Sequence, residues 1–207
     1  MESTPDRSFQ PLTTDLRIEC CVIGGGIAGL TTALLLQRAG MKVAVLEMDG
    51  IARGVSGYTT AKVSSLQGEV YQQLESKHGR EAAALYAASN EAALAQVRSF
   101  VSDLSIDCDL ETRSNYTYCE DPSDLSKVEQ EAEAASRAGL PVEFVHDTDL
   151  PFEVAGAVRL DDQAQFHPRK YLLGLVDELE RGGCLFFDET RATGLDDGDP
   201  CVVETSG

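Results

Sequence analysis

The sequence predicts an α/β fold built around a parallel sheet, and three consecutive features of residues 18–47 support this prediction. A short apolar run with strand character leads into a glycine-rich turn, a mostly apolar helical segment follows, and a second apolar strand ends at an acid. The turn at 24–29 fits the pattern G-x-G-x-x-G, and Glu47 stands about twenty residues beyond it. A strand before this motif, a helix after it and an acid at this distance are typical of a dinucleotide-binding unit.

Each position in this unit has a physical role in binding a dinucleotide. Gly24 permits the tight turn, Gly26 lets a pyrophosphate approach the backbone, and Gly29 lets helix and strand pack closely. The free N–H groups and the positive end of the helix face the phosphates, while the carboxylate of Glu47 can accept hydrogen bonds from a ribose. The motif alone does not choose between NAD and FAD. A glycine-rich turn of another kind of α/β protein is the alternative, and the surrounding strands, helix and acid argue against it.

Composition disfavours several classes of function. The 207 residues include 35 acidic and 17 basic side chains, which give a net charge of −18. This balance argues against binding to nucleic acid or to anionic membranes, because both require basic patches. No stretch approaches the roughly twenty apolar residues of a transmembrane helix. Residues 1–16 lack the apolar core of a secretory signal, so we expect them to be a disordered lead-in and the protein to be cytoplasmic.

The cysteines predict neither a metal site nor a disulfide. None of the six lies in a C-x-x-C pair or at metal-ligand spacing from a histidine. Four of them occur in apolar, strand-like runs and are expected to be reduced residues of the core, namely Cys20, Cys21, Cys184 and Cys201. We therefore predict no bound metal in this chain.

Apolar periodicity and helix-ending residues predict the remaining elements. The second strand is followed by a loop of small and hydroxyl residues, 50–62, and then by helical sequence. Helices are predicted at 81–104, from Asp121 to Gly139 and from His167 to Gly182, and strands at 116–119, 142–145, 157–160, 184–187 and 201–205. His167 precedes Pro168 and is expected to begin its helix rather than to act in catalysis.

These elements predict a parallel sheet that is interrupted by an insertion. The first two strands and the strand at 184–187 would form the nucleotide-binding sheet. Residues 17–104 and 166–207 would form this Rossmann-like domain, and residues 105–165 would form part of an inserted α+β substrate domain over the ligand. Because the chain stops shortly after a strand begins, we expect it to be a fragment that is truncated at its C-terminus.

Several segments together carry a resemblance to one family. They are the glycine turn with its flanks, the second strand with its acid, the loop that follows, and the segments 166–172, 182–183 and 190–192. From about residue 18 to its end, the chain resembles the N-terminal part of the FAD-dependent oxidoreductases of the D-amino-acid oxidase, glycine oxidase and sarcosine oxidase superfamily. Within it, 57–62 and 161–168 are similar to a subgroup that often carries a C-terminal Rieske iron–sulfur domain, which would lie beyond Gly207.

The resemblance implies a glutathione-reductase-like Rossmann domain that binds FAD. The glycine turn would contact the pyrophosphate, Glu47 the adenosine ribose and the backbone of Ala192 the adenine, while the loop after Glu47 would run toward the flavin ring. The predicted cofactor-binding residues are Gly24, Gly26, Ile27, Ala28, Gly29, Glu47, Met48, Arg53, Ser56, Thr60, Ala61, Lys62 and Ala192. A positive charge at Lys62 would favour reduced, anionic flavin, and an exposed loop lysine is the equally weighted alternative.

The chemistry that this resemblance implies is removal of a hydride from a C–N bond of an amine or amino-acid-like small molecule, with reoxidation by oxygen or another acceptor. Because the flavin performs the difficult step, the sequence requires no catalytic side chain, and none is predicted. Two alternatives stay open, an NAD(P)-dependent Rossmann enzyme and a non-catalytic, nucleotide-binding fragment. The long insertion between the second and third parallel strands argues against the NAD(P) enzyme.

Overall fold

The computed structural model describes residues 7–57 and 59–206 of the chain. Its elements follow in the order β1 (Cys20–Ile23), α1 (Ile27–Arg38), β2 (Val43–Leu46), α2 (Gly54–Gly57), β3 (Lys62–Val63), α3 (Val70–His78), α4 (Arg80–Asp103) and β4 (Glu111–Cys119). They continue with a 3-10 turn (Pro122–Asp124), α5 (Leu125–Arg137), β5 (Glu143–Val145), β6 (Gly156–Gln165), α6 (Pro168–Arg181), β7 (Leu185–Phe187), β8 (Ala192–Asp196) and β9 (Val202–Thr205). Among the described residues, no helix is both long and apolar enough to cross a membrane.

The described residues divide into two compact units. The first comprises residues 7–57 and 59–61, Leu104–Cys108 and residues 167–206. The second comprises Lys62–Asp103 and Asp109–Phe166. The sequence-based division placed the start of the insertion at residue 105, whereas the second unit also includes α3 and α4. The assignment of these units to nucleotide and substrate binding stays a prediction.

The first unit is built on a parallel sheet with the strand order β1–β2–β7. Its central strand, β2, is buried along its full length, as expected for a parallel strand that is covered on both faces. Helix α6 buries an apolar stripe that repeats every three or four residues, consisting of Tyr171, Leu172, Leu175, Val176 and Leu179. The sequence prediction of these three parallel strands and of helices α1 and α6 is confirmed, whereas the short helix α2 lies in a segment that was predicted as a loop.

The second unit contains an antiparallel sheet with the order β3–β6–β4, to which β5 adds by pairing with β6. Its core joins the sheet to α3, α4 and α5 through side chains that include Leu66, Tyr71, Ala83, Val128 and Leu160. This shared core explains why α3 and α4 belong to the second unit. The apolar spacing of α4 predicted a helix, but it carried no information on which layer would cover that helix.

Two strands of the second unit are longer than the sequence predicted. β4 begins at Glu111 and β6 extends to Gln165, and these two ends pair with each other across the sheet. Their register shifts between Arg113 and Asn115, opposite a segment in which Asp162 adopts a left-handed φ of 58°. Because the side chains at these ends are mostly polar, the apolar pattern used for prediction stopped short of them.

The last two strands form an antiparallel hairpin, β8–β9, instead of extending the parallel sheet. β8 was not predicted, because only two of its five residues are apolar and larger than glycine. Cys201 is exposed next to β9, so its predicted place in the core is wrong, whereas Cys184 is buried and Cys20 and Cys21 are half-buried. All six cysteines are free thiols.

Residues 7–12 pack against the rest of the first unit, although the sequence predicted a disordered lead-in over residues 1–16. The ring of Phe9 stacks on Phe186 of β7 with a centroid distance of 4.9 Å. The N–H of Leu12 donates to Oγ1 of Thr190 at 3.0 Å. These partners are far away in sequence, so local composition did not predict the contacts. Residues 1–6 lie outside the described part of the chain.

Candidate functional site

The glycine turn connects β1 to α1 and depends on the absence of side chains. Gly24 has a φ of +105°, which L side chains rarely adopt, and its N–H donates to the carbonyl oxygen of Leu46 at 2.8 Å. A Cβ at Gly29 would lie 1.8 Å from the carbonyl oxygen of Gly24. The tight turn and the close approach of helix to strand are therefore built by Gly24 and Gly29.

The N-terminus of α1 is open to a ligand. Its N-cap residue, Gly26, provides no side-chain cap, and the first turn contains no acidic residue. Ile27 and Ala28 are exposed, and the N–H of Ile27 donates to Oγ of Ser56 at 3.3 Å. Unsatisfied N–H groups and the partial positive charge of a helix end attract anions, so this end suits a phosphate group.

Glu47 lies where the carboxyl ends of β2 and β7 meet. Its backbone N–H donates to the carbonyl of Phe187 at 2.9 Å, and its own carbonyl accepts from the N–H of Thr190 at 2.9 Å. The carboxylate accepts from the N–H groups of Gly25 at 2.6 Å and Asp49 at 3.2 Å. A carboxylate has about four acceptor positions, so two remain for the hydroxyl groups of a ribose.

The loop after Glu47 brings several predicted cofactor residues into the same unit as the glycine turn. Met48 is 50 % exposed, and Ser56 is positioned on α2 next to α1. The side chain of Arg53 lies over Gly50, where a Cβ would come within 2.7 Å of its Cδ. Thr60 is exposed, and the neighbouring Ala61 has a left-handed φ of 69°. Tyr58, within the loop, lies outside the described residues.

Two predicted cofactor residues lie away from this loop in the chain. Lys62 is the exposed first residue of β3 and belongs to the second unit. Ala192 begins β8 in the first unit and pairs with Thr205. Their roles toward the flavin and the adenine stay predictions.

Sequence reasoning did not identify the residues that hold the glycine turn in place through hydrogen bonds. Asp188, only 4 % exposed, follows β7 and accepts from the N–H of Ile51 at 2.9 Å. The N–H of Ala52 donates to the carbonyl of Gly25 at 3.0 Å. A signal for Asp188 was available in the sequence. It is an acid that directly follows the predicted strand at 184–187, just as Glu47 directly follows β2.

Two further polar side chains, those of His167 and Arg159, have structural partners. Nδ1 of His167 accepts from the N–H of Lys170 at 3.4 Å, which confirms that His167 begins its helix. The guanidinium of Arg159 is paired with Glu143 at 2.9 Å and Asp161 at 3.1 Å. Within the described residues, no group of three or more His, Cys, Asp or Glu side chains could hold a metal ion.

Comparison with known proteins places this geometry in context. A family model described as "DAO: FAD dependent oxidoreductase" matches residues 19–207. The chain is 31% identical over 205 residues to the putative Rieske 2Fe-2S iron-sulfur protein YhfW of Bacillus subtilis, covering 99% of this chain and 40% of that protein. It is 26% identical over 204 residues to the gamma-glutamylputrescine oxidoreductase of Escherichia coli, covering 96% of this chain and 48% of that protein. The chain therefore spans less than half the length of these relatives.

Solved structures confirm the predicted Rossmann-like fold. An L-amino acid deaminase from Proteus myxofaciens has a TM-score of 0.71 at 17% identity, and the match covers 97% of this chain and 45% of that one. A glycine oxidase from Geobacillus kaustophilus has a TM-score of 0.66 at 17% identity, covering 91% of this chain and 51% of that one. At this level of identity, the two similarities establish the fold.

Proposed function

The chain belongs to the DAO family of FAD-dependent oxidoreductases, and we propose that its protein oxidises a C–N bond of an amine or amino-acid-like small molecule. The relative that is 26% identical is named for action on gamma-glutamylputrescine, which supports an amine-type substrate. The observation that carries the proposal is the open N-terminus of α1 beside the carboxylate of Glu47, within a family match that covers nearly the whole chain.

The described residues fit the phosphate and ribose parts of FAD. Gly26 itself has no side chain that could cover the helix end. The exposed first turn of α1 would hold the pyrophosphate. Glu47 would bind the adenosine ribose with its free acceptor positions, while its bond to the N–H of Gly25 fixes the direction of the carboxylate. The remaining predicted contacts, to Met48, Arg53, Ser56, Thr60, Ala61, Lys62 and Ala192, belong to the same proposal.

The cofactor supplies the hydride acceptor, and the residues of this chain provide binding and orientation. A pyrophosphate carries negative charge that must be neutralised, and the chain offers a helix dipole and backbone N–H groups for this purpose. The net charge of −18 makes such local neutralisation necessary, because the overall field of the chain repels anions. We propose no catalytic side chain in this chain.

The parent protein is proposed to carry a further domain. The relative that is 31% identical is named as a putative Rieske iron–sulfur protein, and this chain covers 40% of its length. This supports a Rieske domain that follows the flavin-binding part. Such a domain would give reduced flavin an electron acceptor within the same protein.

The first test measures retention of FAD, read from the visible absorption of the protein after gel filtration. It compares the 207-residue chain with a longer form that extends beyond residue 207. Bound flavin with a band near ~450 nm supports the proposal, and loss of this band on anaerobic addition of an amine supports C–N oxidation. Retention of NAD instead of FAD by both forms would contradict the proposal. If only the longer form retains flavin, residues beyond 207 are needed to complete the binding site.

Substitution of Gly26 tests whether the helix end is the binding site. Gly26→Ala should weaken FAD binding about tenfold or more, because the new Cβ occupies the side from which the pyrophosphate approaches. Gly198→Ala is the matched control, since a Cβ there meets its nearest atom at an ordinary 3.4 Å. Equal FAD affinity of the two variants, measured by quenching of flavin fluorescence, would place the pyrophosphate elsewhere.

A further inference from the structure

A buried carboxylate joins two segments that lie far apart in sequence. The side chain of Asp188 accepts from the N–H of Phe9 through Oδ2 at 2.8 Å and from the N–H of Ile51 through Oδ1 at 2.9 Å. Thr190 extends this link, because its Oγ1 accepts from the N–H of Leu12 at 3.0 Å and donates to the carbonyl of Asp188 at 2.8 Å. Asp188 is only 4 % exposed, so its two backbone donors replace the water that a free carboxylate would bind.

Residues 7–12, which we call the N-terminal strap, are held at several points. The guanidinium of Arg7 pairs with Asp177 and Glu180 on α6 and lies 5.5 Å from the ring centroid of Phe9. The ring of Phe9 stacks on Phe186 at a centroid distance of 4.9 Å. Charge, stacking and backbone hydrogen bonds therefore fix the strap in one register on the first unit.

The other donor to Asp188 belongs to the turn beneath the glycine loop. Ile51 is 3 % exposed, and its Cγ1 lies only 2.8 Å from the position that a Cβ of Gly25 would take. The next N–H, that of Ala52, donates to the carbonyl of Gly25 at 3.0 Å, and Ala52 holds a left-handed φ of 60°. Residues 50–53 thus pack against Gly25 and hydrogen-bond to it, and Asp188 holds this segment through the N–H of Ile51.

We propose that Asp188 is a positioning residue through which the N-terminal strap holds residues 50–53 against Gly25 in the conformation that receives the pyrophosphate. This inference rests on the proposed function. Asp188 acts through Ile51 and Gly25, and the cofactor is bound by the glycine turn itself. The strap therefore contributes to cofactor binding although it precedes the whole strand–helix–strand unit.

A pair of substitutions at one position of the strap separates the hydrogen bond from the packing. Phe9→Pro removes the N–H that donates to Asp188 and also the ring, whereas Phe9→Ala removes only the ring. Asp188→Asn replaces one acceptor oxygen by a donor group, which leaves one of the two N–H donors facing another donor. Asp197→Asn, which changes an exposed acid between β8 and β9 that is not among the described partners of the strap, is the control for surface charge.

The two measurements are hydrogen exchange at the amides of Ile51 and Ala52 in the FAD-free protein, and the dissociation constant of FAD. Phe9→Pro and Asp188→Asn should each accelerate exchange at both amides and weaken FAD binding, by about tenfold in each case. Phe9→Ala should have a smaller effect on both quantities, and Asp197→Asn should leave both unchanged. Exchange at the amides of β2, the central strand of the same unit, should stay constant, which excludes unfolding of the first unit as the cause.

Different results separate the inference from the function on which it rests. Unchanged exchange at Ile51 and Ala52 in Phe9→Pro would overturn the positioning role even if Asp188→Asn fails to fold. Faster exchange with unchanged FAD affinity would overturn it as well, since the turn would then be irrelevant to binding. Absence of FAD binding by the unaltered protein in both the given and the longer form would refute the proposed function, and hydrogen exchange would still decide whether Asp188 positions the turn.

Discussion

Replacement of Gly29 by alanine tests the packing of α1 against β1. The added Cβ would lie 1.8 Å from the carbonyl oxygen of Gly24 and 3.0 Å from its carbonyl carbon, and real Cβ contacts essentially never fall below 3.0 Å. Helix and turn must therefore separate by about 1.2 Å, the difference between 3.0 and 1.8 Å. The obstacle is backbone rather than a flexible side chain, so relaxation requires movement of the turn itself.

The expected cost of Gly29→Ala is about 3 kcal/mol or more, the upper range of overpacking penalties. Gly40→Ala provides the matched control, because Gly40 has a φ of +89° with no atom within 4 Å of its Cβ position. That variant should lose only the roughly 1–2 kcal/mol of a left-handed alanine. The assay is urea unfolding followed by circular dichroism, and a smaller loss for Gly29→Ala than for Gly40→Ala would refute the packing argument.

Two further predictions concern titratable groups away from the glycine turn. Cys201 is exposed, whereas burial raises the pKa of Cys184 to about 11. A thiol reagent at pH 8 should therefore modify Cys201 within minutes and Cys184 only after unfolding. Mass spectrometry of the labelled peptides measures both rates. Glu131 is fully buried and accepts from the N–H groups of Tyr71 and Gln72, and burial raises its pKa above the ordinary 4.5. Between pH 4.5 and the raised pKa, the folded protein therefore binds more protons than the unfolded chain, and the free energy of unfolding should fall as pH rises through this window. Glu131→Gln should reduce that slope in urea titrations. Equal labelling rates of the two thiols, or an unchanged slope in the variant, would contradict these assignments.

The sequence predicted the parts of the fold whose signals are local. One continuous segment contains β1, the glycine turn, α1 and β2. Each of these elements is marked in the sequence by apolar periodicity or by glycine residues at its ends. The parallel neighbour of β2 was predicted as well, because Leu185–Phe187 is a compact apolar run that follows a helix ending at Gly182. These features placed the predicted cofactor site before any tertiary contact was known.

Features that depend on distant partners were not predicted. The strap was expected to be disordered because residues 7–12 show no periodicity, yet Phe9 meets a ring and a carboxylate more than 170 positions away. The membership of α3 and α4 in the second unit depends on a core shared with α5 and β6. Strand β9 was predicted, but β8 and the antiparallel pairing of the two were not, because β8 is mostly exposed and lacks an apolar face.

The four glycines of the turn differ in what requires them, and this difference separates folding from function. Gly24 is required by its φ, and Gly29 by the carbonyl 1.8 Å from its missing Cβ. Gly25 is crowded by Ile51, whose backbone Cα is 3.2 Å from the Cβ position. Gly26 has an ordinary φ of −87°, and the nearest obstacle at 2.9 Å is Oγ of Ser56, the movable end of a half-buried side chain. Since the fold alone would tolerate a small side chain at Gly26, the approach of a ligand to the helix end is the remaining physical reason for a glycine there.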